Sequence, residues 1–160
     1  MLNCTLLCVG SLKEGYFRAA SEEYSRRLTR FCKLRIAETE EERLPAVPSP
    51  AQIRQGLQAE GRRLLGMTPP GAVGVALCIE GTLFSSEKLA QTIEQWAVEG
   101  MGHIAFYIGG SHGLSEEVKG ASRLRLSMSP MTFPHQLARV MVLEQLYRAM
   151  QIRIGGKYHK

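Results

Sequence analysis

The last six residues of the chain, GGKYHK, carry the side chains with the greatest capacity for chemistry. His159 can take up or release a proton near neutral pH, and Tyr158 offers a flat face for stacking. Lys157 and Lys160 can contact phosphate groups, while the two glycines before them leave the segment free to reorder. A frayed chain end is the alternative interpretation, because the last residues of many domains are poorly ordered. The residue types favour a tail that faces a substrate.

Positive charge is concentrated in the same part of the chain. The segment Val118–Lys160 contains eight basic residues and one acid, Glu144, whereas the net charge of the whole chain is +5. The rest of the chain is therefore slightly acidic. This placement predicts a polyanionic partner for the C-terminal part of the protein. The eight basic residues are Lys119, Arg123, Arg125, Arg139, Arg148, Arg153, Lys157 and Lys160.

Three segments that follow predicted strands could form a binding pocket. They are Glu80–Thr82, the GGSHG sequence at Gly109–Gly113, and Met128–His135. In parallel α/β sheets, ligands lie beyond the carboxyl ends of the strands, so we expect the three segments to wall one pocket. The alternatives are ordinary turn chemistry for GGSHG and a helix start capped by Thr132 for the third segment. GGSHG also differs from the GxGxxG dinucleotide fingerprint.

The elements that must position these segments alternate between strands and helices. Short apolar runs predict strands, and helical periodicity that begins at a capping residue predicts helices. This order predicts a single α/β domain over residues 1–160, with a mostly parallel sheet and helices on both faces. The predicted strands are Leu2–Val9, Lys33–Ala37, Val73–Ile79 (buried on both faces), His103–Ile108 and Leu124–Ser127. The predicted helices are Tyr16–Phe31, Pro50–Leu65 after a Ser49 cap, Ser85–Glu99, a short helix from Ser115, and His135–Ile154.

The predicted C-terminal helix is apolar around most of its circumference. Its polar residues are confined to a narrow strip around Gln136, Arg139, Gln145 and Arg148. A helix of this kind in a small domain must bury two faces. One face should cover the sheet, and the other should pack against the second subunit of a homodimer. A central helix in a monomer is the alternative.

The composition disfavours several classes of site and location. The chain contains no aspartate, which argues against hard-metal, phosphoryl-transfer and Ser-His-Asp chemistry, and we expect no metal. No long apolar run or signal peptide is recognisable, so we expect a soluble, cytoplasmic protein without membrane contact. The four cysteines lie in apolar runs without CxxC spacing, so buried reduced thiols are expected. They are Cys4, Cys8, Cys32 and Cys78.

Four motifs distributed along the chain occur together. They are LLCVGSLKEGYFRAASEEYSRRL near the N-terminus, IGGSHGL in the middle, SMSPMTFPHQLARVMVLEQLYRAM before the tail, and the YHK ending. In this combination the chain closely resembles the ribosomal RNA large subunit methyltransferase H family of the SPOUT superfamily. The similarity runs from the first strand to the last residue, and the joint occurrence of IGG, TFPH, LYRA and YHK is specific.

The resemblance implies an S-adenosylmethionine-dependent enzyme that methylates N3 of a pseudouridine in helix 69 of 23S ribosomal RNA. It also implies action on the assembled 70S ribosome, a homodimer, and a trefoil knot in the C-terminal half that forms the cofactor pocket. The implied cofactor contacts lie in or beside the strand-following segments. They are Leu77, Gly109, Gly110, Pro130, Met131, Thr132, Phe133, Pro134 and His135.

The same resemblance suggests roles for the tail and for the basic residues. His159 is the leading candidate for the group that removes the N3 proton, with Tyr158 stacking on the nucleobase and Arg139 also at the catalytic site. A backbone carbonyl or a ribosomal group is the alternative proton acceptor. The tail of one subunit could reach the pocket of the other. The predicted RNA contacts are Arg148, Arg153, Lys157 and Lys160.

Two other functional classes are compatible with the residues alone. One is a non-catalytic ribosome-associated RNA-binding factor, which would not bind S-adenosylmethionine. The other is a nucleotide-dependent enzyme of flavodoxin-like or Rossmann-like type. The missing acid beyond GGSHG and the absence of aspartate disfavour the second class.

Overall fold

Five parallel strands form one sheet at the centre of the protein. The computed structural model describes all 160 residues, Met1–Lys160. Every neighbouring pair of strands is parallel, and their order across the sheet is β2-β1-β4-β3-β5. The predicted parallel sheet is therefore confirmed. The strands are β1 (Leu2–Val9), β2 (Cys32–Thr39), β3 (Val73–Leu83), β4 (His103–Ile108) and β5 (Leu124–Ser127).

Five helices cover the two faces of this sheet. Successive residues of β1 point to opposite faces, so Cys4, Leu6 and Cys8 contribute to one core and Leu7 and Val9 to the other. Helices α1, α3 and α5 pack on the first face, and α2 and α4 pack on the second, which confirms the prediction of helices on both faces. They are α1 (Gly15–Leu28), α2 (Pro50–Gly66), α3 (Ser86–Val98), α4 (Glu116–Ala121) and α5 (His135–Arg153).

Local sequence signals explain where three of the helices begin. Ser49 and Gln52 form a capping box, in which each side chain accepts a hydrogen bond from the backbone N–H of the other, and Pro50 takes the first helical position. The hydroxyl groups of Ser85 and Ser115 cap α3 and α4. None of the five helices combines the length and apolarity that crossing a bilayer requires.

Strand β3 is longer than predicted and is buried only at its start. It continues through Glu80–Thr82, which were expected to follow the strand. Its first four residues are buried, whereas Ile79 is 48% exposed, so the prediction of burial on both faces is wrong for the second half. The extension pairs closely with β5 because Gly81 lacks a side chain. A Cβ at Gly81 would lie 2.6 Å from the carbonyl oxygen of Arg125.

The other differences from the prediction concern the ends of elements. Strand β2 reaches Thr39 and so includes the start of the predicted acidic loop, and α1 ends at Leu28, three residues early. Helix α5 begins at His135 as predicted, but Pro134 precedes it without a side-chain cap. The alternative of a helix start capped by Thr132 is therefore wrong.

The cysteines behave largely as the sequence predicts. Cys4, Cys8 and Cys32 are buried, Cys78 is half-buried, and all four are free thiols. Burial raises the pKa of the Cys8 thiol to about 12, so it stays protonated at neutral pH. No group of three or more His, Cys or Glu side chains is arranged to hold a metal ion.

Candidate functional site

A cleft of about 710 Å³ opens beyond the carboxyl ends of β4 and β5, beside the second half of β3. Its walls come from β3, from the GGSHG loop and from the segment that leads into α5. All three segments that were expected to share one pocket contribute to it, although Glu80 is the only residue of Glu80–Thr82 that lines the cleft. A cleft of this size is typical of a small-molecule site.

Eight of the nine residues implied as cofactor contacts line this cleft. Pro130 does not reach its wall, although it lies in the same loop as Met131. Ser129 also lines the cleft and belongs to the predicted segment Met128–His135, whereas Lys119, which α4 contributes, was not predicted there. The eight residues are Leu77, Gly109, Gly110, Met131, Thr132, Phe133, Pro134 and His135.

Close backbone approach requires glycine in the GGSHG loop. A Cβ on Gly109 would lie 2.2 Å from the carbonyl oxygen of Gly113, and one on Gly110 would lie 2.8 Å from a carboxylate oxygen of Glu41. Gly113 has φ 83°, in the left-handed region that favours glycine. The loop folds back through an isolated antiparallel bridge between Gly110 and Gly113. Bare backbone therefore forms much of this wall of the cleft.

Glu41, in the segment after β2, holds the GGSHG loop in place. Its carboxylate accepts hydrogen bonds from Ser111 N at 3.0 Å and from Ser111 Oγ at 2.7 Å. These two bonds lower the pKa of Glu41 below its usual value, and the charges of His135 and Lys13 contribute less. Sequence reasoning missed Glu41 because its partner lies 70 positions away. The only available signal was the acidic run in which it lies.

The segment that carries Glu41 is itself fixed to helix α2. Arg63 donates to Thr39 Oγ1 at 2.8 Å and to the carboxylate of Glu42 at 2.7 Å. Glu60 is buried on α2, accepts a hydrogen bond from Glu42 N at 2.8 Å, and has its pKa raised by burial. Support for the wall of the cleft therefore passes from α2 through this segment to the glycine loop.

Replacement of Glu41 by alanine should weaken cofactor binding about tenfold, or about 1.4 kcal/mol. The loss is expected because Ser111 would lose both bonds and the loop would sample other conformations before binding. Isothermal titration calorimetry with S-adenosylmethionine measures the change. Glu40→Ala is the matched control, since the Glu40 side chain forms no hydrogen bond or ion pair. Equal affinities for Glu41→Ala and the control would contradict a positioning role.

The same contact predicts a pH dependence. Because the pKa of Glu41 is lowered in the folded protein, the carboxylate contact is kept at neutral pH and is lost as the pH falls through that lowered value. Cofactor affinity should therefore be flat near neutrality and should decline only in acid. Glu41→Gln removes the titrating group, so its affinity should lack this decline.

Arg139, which was expected at the catalytic site, is buried where the polar strip of α5 meets the sheet. Its guanidinium is 4% exposed and donates to the Glu38 carboxylate at 2.6 Å and to the carbonyl oxygen of Gly10 at 2.9 Å. Arg139 does not line the cleft. Its bonds join the start of α5 to the ends of β1 and β2. They orient the helical turn that presents His135 to the cleft.

A second, largely apolar groove of about 500 Å³ adjoins the cleft. The two spaces share Leu77, Leu126 and Met128. One wall of the groove is a side of α5 on which Val140 and Met141 are only half-buried. Helix α5 therefore buries one face in the core and leaves a second apolar face open, as its composition predicted.

The last six residues fold back from α5 in a defined conformation. Gly155 has φ 65°, and its N–H bonds to the carbonyl oxygen of Ile152 at 3.0 Å. The N–H of Gly156 bonds to the carbonyl oxygen of Gln151 at 2.8 Å. This pair of bonds is a Schellman termination, in which glycine takes the left-handed position. The glycines close the helix and direct the tail, and the interpretation of a frayed end is wrong.

Tyr158 packs against α5. Its ring lies edge-on to Tyr147 with centroids 4.8 Å apart, and the guanidinium of Arg148 sits 4.7 Å from its centroid. Its hydroxyl donates to Glu144 at 3.1 Å, and Arg148 Nε donates to the same carboxylate at 2.9 Å. Burial, followed by the hydrogen-bonding contacts with Tyr24 and Glu144, raises the pKa of Tyr158 to about 12, so the phenol remains protonated.

His159 lies between α5 and the start of α3. Arg148 approaches its Nδ1 at 3.3 Å, and its Nε2 lies 2.8 Å from the carboxylate of Glu87. Because arginine can only donate, Nδ1 must accept and the ring proton must sit on Nε2, where it is donated to Glu87. His159 and Tyr158 do not line the cleft of their own chain.

Most of the C-terminal basic residues are neutralised in the fold. Six of the eight pair with carboxylates, and five of the six acids come from earlier in the chain. Only Lys157 and Lys160 lack such a partner. The charge excess of this segment therefore does not by itself mark an anion-binding surface. The pairs are Lys119–Glu80, Arg123–Glu99, Arg125–Glu116, Arg139–Glu38, Arg148–Glu144 and Arg153–Glu94.

The sequence is similar to a known family over almost its whole length. The family model described as "Predicted SPOUT methyltransferase" matches residues 2–159. A protein named ribosomal RNA large subunit methyltransferase H from Clostridium novyi (strain NT) is 45% identical over 159 residues, which cover 99% of this chain and 100% of the relative. Its namesake from Moorella thermoacetica is 44% identical over 160 residues, with 100% of both chains covered.

A solved structure supports the fold assignment. The protein Lpg2936 from Legionella pneumophila, solved with bound SAM, superposes with a TM-score of 0.51 and 13% identity, covering 94% of this chain and 66% of that chain. At this level of identity the likeness concerns the fold alone. The resemblance seen in the motifs is thus confirmed, and the implied trefoil knot follows from family membership. The chain belongs to the SPOUT methyltransferase family.

Proposed function

We propose that the protein transfers a methyl group from S-adenosylmethionine to N3 of a pseudouridine in helix 69 of 23S ribosomal RNA, within the assembled 70S ribosome. The observation that carries the proposal is end-to-end identity of 45% to a protein named ribosomal RNA large subunit methyltransferase H. We place the substrate surface on the fold that the ten helices and strands form.

The cleft suits S-adenosylmethionine in size and in chemistry. Apolar side chains such as Leu77 and Leu126 can hold the adenine ring, and the bare backbone at Gly109 and Gly110 permits close approach. Hydroxyl groups such as that of Thr132 line the rim and can bond to polar parts of the ligand. When bound, S-adenosylmethionine supplies an electrophilic methyl group on a sulfonium. The residues of the chain therefore need only align the acceptor and exclude water.

The N3 proton must leave as the methyl group is accepted, and we assign this step to His159. Glu87 orients the imidazole by accepting its Nε2 proton, which leaves Nδ1 as the basic nitrogen. Arg148 occupies Nδ1 at 3.3 Å and must move away first. An RNA phosphate near the tail can compete for the Arg148 guanidinium, which would free Nδ1 only when substrate is present. Tyr158, held protonated, serves as a stacking and positioning group.

A second copy of the chain completes the proposed site. The tail does not line the cleft of its own chain, while the groove beside that cleft exposes an unfilled apolar side of α5. A homodimer that covers this groove would bury Val140 and Met141 and bring a tail towards a neighbouring cleft. One arrangement thus explains both the open apolar face of α5 and the position of the tail away from the cleft of its own chain.

The direct test supplies the purified protein with labelled S-adenosylmethionine and three substrates: 70S ribosomes, separated subunits and free 23S ribosomal RNA. We expect label only in the 70S reaction, mapped to N3 of one pseudouridine in helix 69. Label that appears only on free RNA would overturn the assembled-ribosome part of the proposal. Failure to bind S-adenosylmethionine in calorimetry would instead favour a non-catalytic RNA-binding factor.

A further inference from the structure

Three exposed cations without acidic partners lie close together at the start of β2. Arg30 is in the turn before the strand, and Lys33 and Arg35 alternate along it. None of the three has a carboxylate within 4.0 Å, whereas nine other Lys and Arg side chains do. Eleven of the 20 Lys and Arg side chains thus lack an acidic partner, and three of the eleven lie within six residues of the chain at the amino end of the sheet. In the C-terminal segment Val118–Lys160, only Lys157 and Lys160 lack an acidic partner.

The sheet register extends this basic corner across three strands. Asn3 of β1 pairs with Lys33 on one side and with His103 of β4 on the other, and Thr5 pairs with Arg35. Strand alternation places all five side chains on the face that carries α2 and α4. The Thr5 hydroxyl lies 2.9 Å from His103 Nε2, and burial together with Arg35 lowers the pKa of His103.

The helices cover this corner only in part: Lys33 and Arg35 are exposed and Asn3 and His103 are half-buried, whereas Thr5 is buried. The core on this face includes Leu7 and Val9 of β1 and Ala105 and Tyr107 of β4, all nearer the carboxyl ends of the strands. Polar side chains replace apolar ones at the amino ends of the same strands. An edge strand can use lysine and arginine simply to prevent pairing with other sheets. That explanation does not account for the polar side chains of the inner strands, which are Asn3 and Thr5 of β1 and His103 of β4.

We propose that this corner, formed by Arg30, Lys33, Arg35, Asn3 and His103, docks the phosphodiester backbone of RNA. Neighbouring strands space its side chains about 4.8 Å apart, and alternate residues of one strand are about 6.6 Å apart, so several phosphates can be contacted at once. The corner lies at the opposite end of the sheet from the cleft, about 25 Å away along eight-residue strands. The corner would therefore bind a part of the RNA that is distant from the methylated nucleotide. The assignment rests on the proposed function, whose substrate it extends.

A triple variant, Arg30→Gln/Lys33→Gln/Arg35→Gln, tests the assignment. Binding to 70S ribosomes and to a 23S RNA fragment containing helix 69 is measured at several salt concentrations. Loss of three phosphate contacts should lower the slope of log affinity against log salt by about two to three and weaken binding at least about tenfold. The control, Arg43→Gln/Arg54→Gln/Arg62→Gln, removes the same charge from exposed arginines that also lack acid partners. Its slope should stay close to that of the parent protein.

The outcomes separate this inference from the proposed function. The inference is supported if only the corner variant shows a lower slope of log RNA affinity against log salt and its affinity for S-adenosylmethionine is unchanged. The inference would be overturned if the slope of the corner variant were unchanged, or if the control variant lost as much slope. It would also be overturned if aggregation were the only effect of the three substitutions. Stronger binding of the parent protein to phosphatidylglycerol–phosphatidylcholine vesicles than to RNA would overturn it as well. Absence of methyl transfer by the parent protein would refute the proposed function without altering the binding measurement.

Discussion

Removal of the four residues after Gly156 should leave cofactor affinity unchanged and reduce methyl transfer to ribosomes by about 10²–10⁴, the contribution expected of a positioned proton acceptor. The truncated chain keeps the bonds of Gly155 and Gly156 that close α5, so the helix should end normally. The cleft contains no residue of the tail, which is why the cofactor should still bind. Calorimetry and single-turnover methylation measure the two quantities separately.

Point variants divide this effect between the two aromatic residues of the tail. His159→Asn removes the proton acceptor, and most of the loss should appear in it. Tyr158→Phe keeps the ring against Tyr147 and Arg148 but loses the bond to Glu144, so its effect should be smaller. A truncated chain that methylates ribosomes at the parent rate would show that the tail has no part in catalysis.

Glu87 and Arg148 provide a further check on the role of His159. If Glu87 orients the imidazole, Glu87→Gln should lower the rate and shift its pH profile, because the partner of Nε2 would no longer be charged. A purely structural role would lower thermal stability and leave the profile unshifted. Arg148 is less suitable as a test, since its replacement also removes contacts to Glu144 and Tyr158.

Much of the fold was predictable because its signals are local. The caps at Ser49, Ser85 and Ser115 stand directly before their helices, and β4 and β5 have the predicted bounds. The carboxyl-end rule for parallel sheets then brought three separate segments to one cleft. Each of these inferences needs only a short window of sequence or a general rule of topology.

The unpredicted features depend on contacts between residues far apart in the chain. Arg139 and Glu38 are separated by 101 positions, so the sequence did not show that the fold buries Arg139 and pairs it with a carboxylate that remains partly exposed. The support of Ser111 by Glu41 is equally non-local. Charge counting failed for the same reason, because a local excess says nothing about the acids that the fold brings to it. Basic residues without an acidic partner can be identified only when these long-range ion pairs are known.

Gly109→Ala should lower S-adenosylmethionine affinity at least about 100-fold, the largest cofactor effect we expect from a single methyl group. The added Cβ would lie 2.2 Å from the carbonyl oxygen of Gly113, and a backbone obstacle cannot move aside as a side chain can. The loop must therefore open, which removes the wall on which the ligand rests. Calorimetry measures the affinity at a temperature at which circular dichroism shows the variant to be folded.

Two further glycines calibrate the result. Gly110→Ala meets the Glu41 carboxylate at 2.8 Å, a side chain that can partly yield, so its effect should be intermediate and should shrink when Glu41 is also replaced by alanine. Gly102 precedes β4, at the opposite end from Gly109, and has no atom within 4 Å of its added Cβ, so Gly102→Ala should bind normally. If Gly109→Ala matches Gly102→Ala, the glycine loop does not contact the cofactor. The loss of affinity should therefore decrease from Gly109 to Gly110 to Gly102, because their added Cβ atoms meet backbone, a side chain and open space, respectively.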